Sequence, residues 1–592
     1  MIAPGWLRAA VGAAGAAAAA WPLHATFAGG LAWVIACAVA CSGHGGALAR
    51  LTGARLSPPL AATAGLAAML VVATLLGALG LLAGLVQRGL VLAGIALAAL
   101  PRGPWDPAPA GGAARFRRLL GALAALLVIV LALVSLETPA SDDANHVLAV
   151  KRLWDTGALA GAPYTSGLHV AGEALLAWGH GAAAAGVFEA FCAALLVLVI
   201  AAELPAEDTL AARLAHWIAA AVIVLAPPTH GQLSATLFHL AAILSLRAPL
   251  EERRTGWHTL GFAAALALLR HELLFLAVPY AAAAVLLPRA SRPSRRQISL
   301  ALAAWLVVAF GLGLALGLPP GNALGKAFAL LAAVPLAALL LRLLGALPWR
   351  GRHGAVCFAL VSYLLAVAAY AIPPARHAAT ATAAVTGAVA LLVLVTSVAA
   401  ASAAAAASDA ARGLAAAPRL AAASRLAAAP RLAEGRIHPA AASLVIGIFA
   451  STSLLLPAFE EDHVAPRFAA ALLAWRERLV LDPDRAHAFV HAAQLRAPAG
   501  ARLAFWGLSA ARLDFARNPI RDVSFSGRVL LAPLAPHALD GADYLLLEDL
   551  RPPPRYDRET KITTFPLALE AAADRLEFVA TEGTAHLFRV RD

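Results

Sequence analysis

The chain has 592 residues, of which 61% are hydrophobic and 14% charged. Soluble domains carry about 25% charged residues, so the composition excludes an ordinary soluble protein and predicts a chain built mostly of membrane-spanning helices. The formal net charge is +12, yet the basic residues stand in short clusters between apolar runs, which argues against a nucleic-acid partner and for a lipid bilayer.

In chain order, apolar runs at 8–24, 26–48, 59–86 and 89–101 predict four N-terminal spans within residues 1–118. The first run lacks a convincing cleavage site and is followed at once by more spans, so it reads as a retained helix. A second group, 119–457, has clear runs at 119–136, 183–203, 299–317, 326–345, 355–372, 379–402 and 440–457. Shorter or broken runs at 211–227, 232–246, 257–269 and 272–288 complete the predicted bundle. Cys37, Cys41, Cys192 and Cys357 all lie in apolar runs without metal-ligand spacing and read as small core residues.

Arginine placement predicts the orientation, because positive charge is retained on the cytoplasmic side. Arg102, Arg115, Arg117 and Arg118 form one cluster; Arg247, Arg253 and Arg254 a second; Arg289, Arg292, Arg295 and Arg296 a third; Arg350 and Arg352 a fourth. The tract 403–439, with Arg412, Arg419, Arg425, Arg431 and Arg436, is the fifth, a low-complexity linker that Pro418 and Pro430 keep from being one helix. Span parity puts all five on one side. Segment 137–182 and everything after 458 then face outside. Arg88 interrupts this pattern among the N-terminal spans.

Residues 458–592 have ordinary charge density and short apolar runs. Stretches 464–480 and 483–497 read as amphipathic helices. Arg502–Trp506, Tyr544–Leu547 and Leu576–Ala580 read as strands, and His586–Val590 closes a hairpin with the last of them. No Gly-rich phosphate loop or nucleophile elbow is present in this region. The predicted fold is therefore mainly α: a polytopic transmembrane helical bundle with a small C-terminal extracytoplasmic α/β domain.

The first outside loop carries the chemistry-bearing residues. It reads Glu137-Thr-Pro-Ala-Ser-Asp142-Asp143-Ala-Asn-His146, continues to Trp154-Asp155-Thr-Gly157, and then to Pro163-Tyr164-Thr-Ser-Gly167-Leu168-His169. Ser141 has the position of an N-cap with acids in the first turn. Paired carboxylates there suit deprotonation of a hydroxyl or capture of a divalent cation; plain helix capping is the competing reading. His146 and His169, taken singly, are ordinary interfacial hydrogen-bonding residues. Among the other outside tips, Arg270-His271-Glu272, Lys326 and Arg376-His377 offer cations at the membrane interface. The competing reading for these is snorkelling side chains that anchor helix ends. Glu173 and His180 are weaker candidates on the returning side of the loop.

The loop resembles the first periplasmic loop of the GT-C superfamily of polytopic glycosyltransferases, such as protein O-mannosyltransferases and lipid A aminoarabinose transferases. The resemblance rests on the acidic pair Asp142-Asp143 after a span, His146 at helical spacing, a helix ending at Gly157, and Pro163-Tyr164 beyond it. It also rests on the order of parts across 119–592: acidic loop, many spans, then an outer α/β domain whose Ala501–Gly507 and Arg517–Ile520 look like the distal domains of such proteins. The pair is Asp-Asp where the family often has Asp-Glu, the tip 227–231 lacks the second acid many members carry, and the four N-terminal spans are extra.

The resemblance implies transfer of a sugar from a polyprenyl-phosphate donor to a glycan, lipid or protein acceptor outside a bacterial cytoplasmic membrane. It implies Asp142 as general base, with Asp143 and His146 orienting it or the acceptor. Arg270, His271, Lys326 and Arg376 would neutralise the donor phosphate, and Tyr164 and His169 would serve the acceptor or the loop. A divalent cation at Asp142/Asp143 is the one cofactor it admits; the identity of any metal stays open. The competing functions are an O-antigen polymerase or ligase, a transporter or flippase, and a non-catalytic scaffold. A transporter predicts ionisable groups deep in the spans.

Overall fold

The computed structural model describes residues 5–20, 27–100, 112–134, 149–150, 152–159, 167–176, 187–203, 232–245, 255–269 and isolated positions between 277 and 285. Toward the C-terminus it describes 488–506, 513–514, 517–522, 539–548, 573–583 and 585–591. The described chain is mostly helical, with one small sheet.

Nine helices make up the described apolar part: α1 (Gly5–Ala20), α2 (Phe27–Thr52), α3 (Pro58–Ala78), α4 (Gly84–Ala99), α5 (Gly112–Val134), α6 (Gly167–Leu176), α7 (Val187–Glu203), α8 (Gln232–Ser245) and α9 (Trp257–Leu269). Of these, α2 and α3 are long and apolar enough to cross a membrane. Helix α3 begins as its sequence dictates: the Ser57 hydroxyl accepts from the Leu60 amide at 3.4 Å, and Pro58 and Pro59 occupy positions where a missing N–H costs nothing. The predicted run 59–86 is not one helix. It stops at Ala78, turns through Gly80 (φ +72°), and restarts at Gly84. Hydropathy cannot see this break, because Leu79, Leu81 and Leu82 keep the run apolar while the backbone reverses.

Small residues set the packing of α2. A side chain on Gly45 would overlap the Ala61 carbonyl oxygen, one on Gly65 the Cys41 carbonyl oxygen, and one on Gly43 the Gly94 carbonyl oxygen. Glycine at these crossings lets backbones touch where a larger residue would hold the helices apart. His44 reinforces the α2–α4 crossing through Nε2 and the Leu90 carbonyl, 3.0 Å apart.

Hydrogen bonds fix which helix ends lie together. The first-loop residues 152–156 are helical and end at Gly157 (φ +72°), whose amide donates to the Leu153 carbonyl at 2.9 Å. The loop then locks onto the α3–α4 turn: Leu82 N donates to the Gly157 carbonyl and Leu159 N to the Gly77 carbonyl, both at 2.9 Å. Arg88 lies at this end with its guanidinium 6.0 Å from the Trp154 ring centroid, which gives the arginine that breaks the charge pattern an aromatic partner in the loop. The opposite end gathers Thr52 Oγ1 with His258 Nε2 (2.9 Å), Ser245 Oγ with Thr259 Oγ1 (2.8 Å), and Gly256 N donating to the Ala284 carbonyl (3.1 Å). Arg50 in the last turn of α2 and Arg55 of the α2–α3 connection therefore lie, with Ser245, Gly256 and Ala284, at the end away from the first loop.

The C-terminal part places helix α10 (Ala488–Leu495) on a five-stranded sheet of order β2-β1-β3-β5-β4. The strands are β1 (Leu503–Trp506), β2 (Ile520–Asp522), β3 (Tyr544–Glu548), β4 (Leu576–Glu582) and β5 (Ala585–Val590). β2 and β3 flank β1 in parallel, and β5 joins β3 and β4 antiparallel. Alternation along β1 sends Leu503 and Phe505 toward α10 and Ala504 and Trp506 to the other face. The predicted strands and hairpin are present; the predicted helix 464–480 and the boundary at 458 lie outside the described residues.

Two polar devices tie this part together. Gln494 Nε2 donates to the Asp514 carbonyl (2.8 Å) and Asn518 Nδ2 to the Pro498 and Ala501 carbonyls (2.8 and 2.9 Å), both side chains fully buried. The Arg502 amide and guanidinium donate to the Asp543 carboxylate, at 2.8 Å from the amide nitrogen and 2.9 Å from Nη2, and hold its pKa below the usual aspartate value.

Candidate functional site

The apolar body contains one concentrated group of ionisable side chains among the described residues: His169 and Glu173 on α6, and Glu189 in the first turn of α7. They are 2%, 1% and 1% exposed. Helical spacing explains the first pair, since residues four apart share a face. His169 Nε2 stands 3.5 Å from Glu173 Oε1 and 3.2 Å from Glu189 Oε1.

Glu189 does a second job at the start of α8. The first amides of any helix have no partner within it. Here Leu233 N and Ser234 N donate to Glu189 Oε2 at 2.8 and 3.0 Å, and the Ser234 hydroxyl donates to Oε1 at 2.6 Å. A carboxylate of one helix thus caps another, where backbone donors and the helix dipole both favour negative charge. Oε1 accepts from the Ser234 hydroxyl and lies 3.2 Å from His169 Nε2, so the imidazole faces the carboxylate that fixes α8.

Helix α6 is suited to hold this group. Every residue from Leu168 to Leu176 is buried. Gly172 admits the Phe188 ring, which a side chain there would strike at 2.6 Å, and that ring meets His169 edge-on with centroids 5.5 Å apart. Trp33 Nε1 donates to the Leu175 carbonyl at 2.8 Å and ties the helix to α2. A second polar pair lies further along α8, where Tyr280 Oη approaches His239 Nδ1 at 3.2 Å. Chemically, the arrangement can hold a proton between one imidazole and two carboxylates.

Of the residues singled out in the sequence, His169 lies in this group, inside the protein and not on the loop surface where an acceptor would meet it. Glu173, a weaker candidate, joins it. Asp142, Asp143, His146, Tyr164, Arg270, His271, Lys326, Arg376 and His180 lie outside the described residues. No group of three or more His, Cys, Asp or Glu with metal-holding geometry occurs among the described residues. Sequence reasoning missed Glu189 and Ser234. The signal was present, because Glu189 is an acid near the start of the apolar run 183–203, but its partner amides are 44 residues away.

Arg517 and Asn518, part of the resemblance to distal domains, act structurally: the Arg517 guanidinium donates to the Ala497 carbonyl at 3.1 Å and Asn518 spans Pro498 and Ala501. On the loop side, Arg152 Nη2 reaches the Ile520 carbonyl of β2 at 3.4 Å. No protein-family model, curated protein or solved structure matches the chain.

Proposed function

We propose that the chain is a polytopic glycosyltransferase of the bacterial cytoplasmic membrane, similar to the GT-C superfamily, that transfers a sugar from a polyprenyl-phosphate donor to an acceptor on the extracytoplasmic side. The observation that carries the reading is the acidic pair Asp142-Asp143 opening a loop whose described part folds back on one end of the helices. Three features support the orientation: Arg50 and Arg55 lie at the end away from the loop, Arg88 meets Trp154 of the loop, and Arg152 meets the C-terminal sheet.

In this reading Asp142 takes the proton of an acceptor hydroxyl while its oxygen attacks the anomeric carbon. The bond from that carbon to the donor phosphate oxygen breaks, and the phosphate leaves with the electron pair. Arg270, His271, Lys326 and Arg376 are the cations available to stabilise the departing charge, and Asp143 and His146 orient the reactants. A divalent cation held by Asp142 and Asp143 would serve the same end.

Asp142→Asn keeps shape and capping ability but removes the base. The reading requires transfer to fall by about 10²–10⁴-fold with expression and melting temperature nearly unchanged. Transfer that survives in both Asp142→Asn and Asp143→Asn reduces the pair to a helix cap. A second reading, a proton-linked transporter or flippase, draws on the buried His169–Glu173–Glu189 group, which places ionisable side chains inside the helical body as that class requires.

A further inference from the structure

Helix packing gathers arginines at the end of the helical body away from the first loop. Gly5 of α1 lies against the Ala99 carbonyl oxygen of α4, and Gly12 against the Val39 side chain of α2. Helix α1 therefore starts where α2 and α4 finish. Arg8, in the first turn of α1, comes within charge-interaction range of Arg50, in the last turn of α2. Arg55 follows in the α2–α3 connection at the same end.

Nothing in this part of the chain offsets these charges. Residues 1–105 contain Arg8, Arg50, Arg55, Arg88 and Arg102 and no aspartate or glutamate. Among the described residues, Arg8, Arg50 and Arg55 make no ion pair. Arg50 Nε donates only within its own helix, to the Gly46 carbonyl at 3.3 Å. Arg8 Nε is buried without a hydrogen-bond partner, although buried donors are nearly always satisfied. An arginine that simply snorkels puts its donors in water, which Arg8 Nε does not. Two guanidiniums held side by side call for an anion, and phosphate oxygens fit their fork of donors. The surroundings are apolar: Leu7 and Val11 share a face of α1 next to Arg8, and both are exposed. Trp6 of α1 and Trp257 of α9 are exposed at the same end, and tryptophan is the residue of membrane interfaces.

We propose that Arg8 and Arg50, with Arg55 beside them, bind the headgroup of an anionic phospholipid whose acyl chains lie along Leu7 and Val11. Basic pockets between helices at the arginine-bearing side of a membrane protein hold such headgroups. A headgroup with two phosphodiesters matches this acid-free cluster better than one with a single charge. The inference rests on the membrane reading above and not on glycosyl transfer.

The test uses the full chain in detergent micelles, titrated with cardiolipin or with phosphatidylcholine and read by native mass spectrometry. Cardiolipin binds at least about tenfold more tightly than phosphatidylcholine. A positive charge that merely faces an anionic surface contributes about fivefold wherever it lies, so Arg88→Gln, at the opposite end, is the charge control. Arg8→Gln and Arg50→Gln each weaken cardiolipin binding about tenfold or more, and Arg88→Gln does not. Arg8→Lys keeps the charge but loses the planar fork, so it also weakens binding. Equal affinity for the two lipids overturns the proposal, as does an Arg88→Gln effect as large as that of Arg8→Gln. Full competition by millimolar inorganic phosphate overturns it too, because the ligand is then a free anion. If Arg8→Gln lowers the melting temperature, Arg50→Gln and Arg8→Lys decide, and wild-type affinity in both overturns the site. Carbonate-resistant flotation with phosphatidylcholine vesicles measures the membrane reading by itself. A chain that floats without preferring cardiolipin loses only this site; a chain that does not float loses both.

Discussion

Replacing Glu189 with alanine tests whether the buried carboxylate organises the helical body. Its removal leaves the Leu233 and Ser234 amides without acceptors at positions 3% and 0% exposed, where water does not reach them. It also strips the Ser234 hydroxyl and the His169 imidazole of an oxygen. A buried donor left unsatisfied costs about 1–3 kcal/mol, but in the proposed membrane setting polar contacts between helices average only about 0.6 kcal/mol, because the unfolded helices find other partners in lipid. Backbone amides of a first turn have few alternatives, so they take about 1 kcal/mol each, the low end of the soluble range. Two amides, one hydroxyl and the imidazole then give about 3 kcal/mol for Glu189→Ala. Glu189→Gln keeps one oxygen for the amides and presents an NH₂ group to Ser234 and His169, for about half that loss. Reversible unfolding in mixed micelles, followed by helical circular dichroism, measures both. Ser234→Ala becomes nearly neutral in the Glu189→Ala background, because the hydroxyl has already lost its acceptor. A Glu189→Ala loss below about 1 kcal/mol, or a glutamine variant no better than alanine, would refute the capping argument.

Two further outcomes follow from the proposed orientation and from the C-terminal sheet. The proposed orientation requires a periplasm-active reporter fused after Asp592 to be active and one placed within 403–439 to be silent, since clustered arginines are retained on the cytoplasmic side; activity only at the linker would sink both the orientation and the proposed function. Arg502 holds the Asp543 pKa below its ordinary value, so the contribution of Asp543 to stability is fully present above about pH 4 and is lost as pH falls through the depressed value. Denaturation of wild type against Asp543→Asn checks this: the gap between them is constant from neutral pH to about 5 and closes in acid, and a gap that widens in acid would contradict it. Both side chains are well exposed, so the gap is small.

The local features of this chain were legible in its sequence. Apolar runs mark the helices because burying a helix in lipid or in protein asks the same thing of every residue in a window. Gly157 marks a helix end because the backbone there has positive φ, and short continuous apolar runs mark β1 and β3 because both faces of these strands are covered. What depends on partners far along the chain was not legible. Hydropathy joined 59–86 into one span, since nothing in a run of leucines signals that the chain turns at Gly80 to receive the loop at Gly157. His169 read as a loop residue; burial by α6 and the carboxylate of Glu189 turned it into an interior one. Glu189 read as an incidental acid, because the amides it caps begin at Leu233 and only tertiary packing brings them to it. Strand order was equally hidden: β1, β2 and β3 are consecutive in sequence, and their arrangement as 2-1-3, with Trp506 at the reversal, is decided by how helices and connections pack across the sheet, a non-local choice that no window of sequence contains.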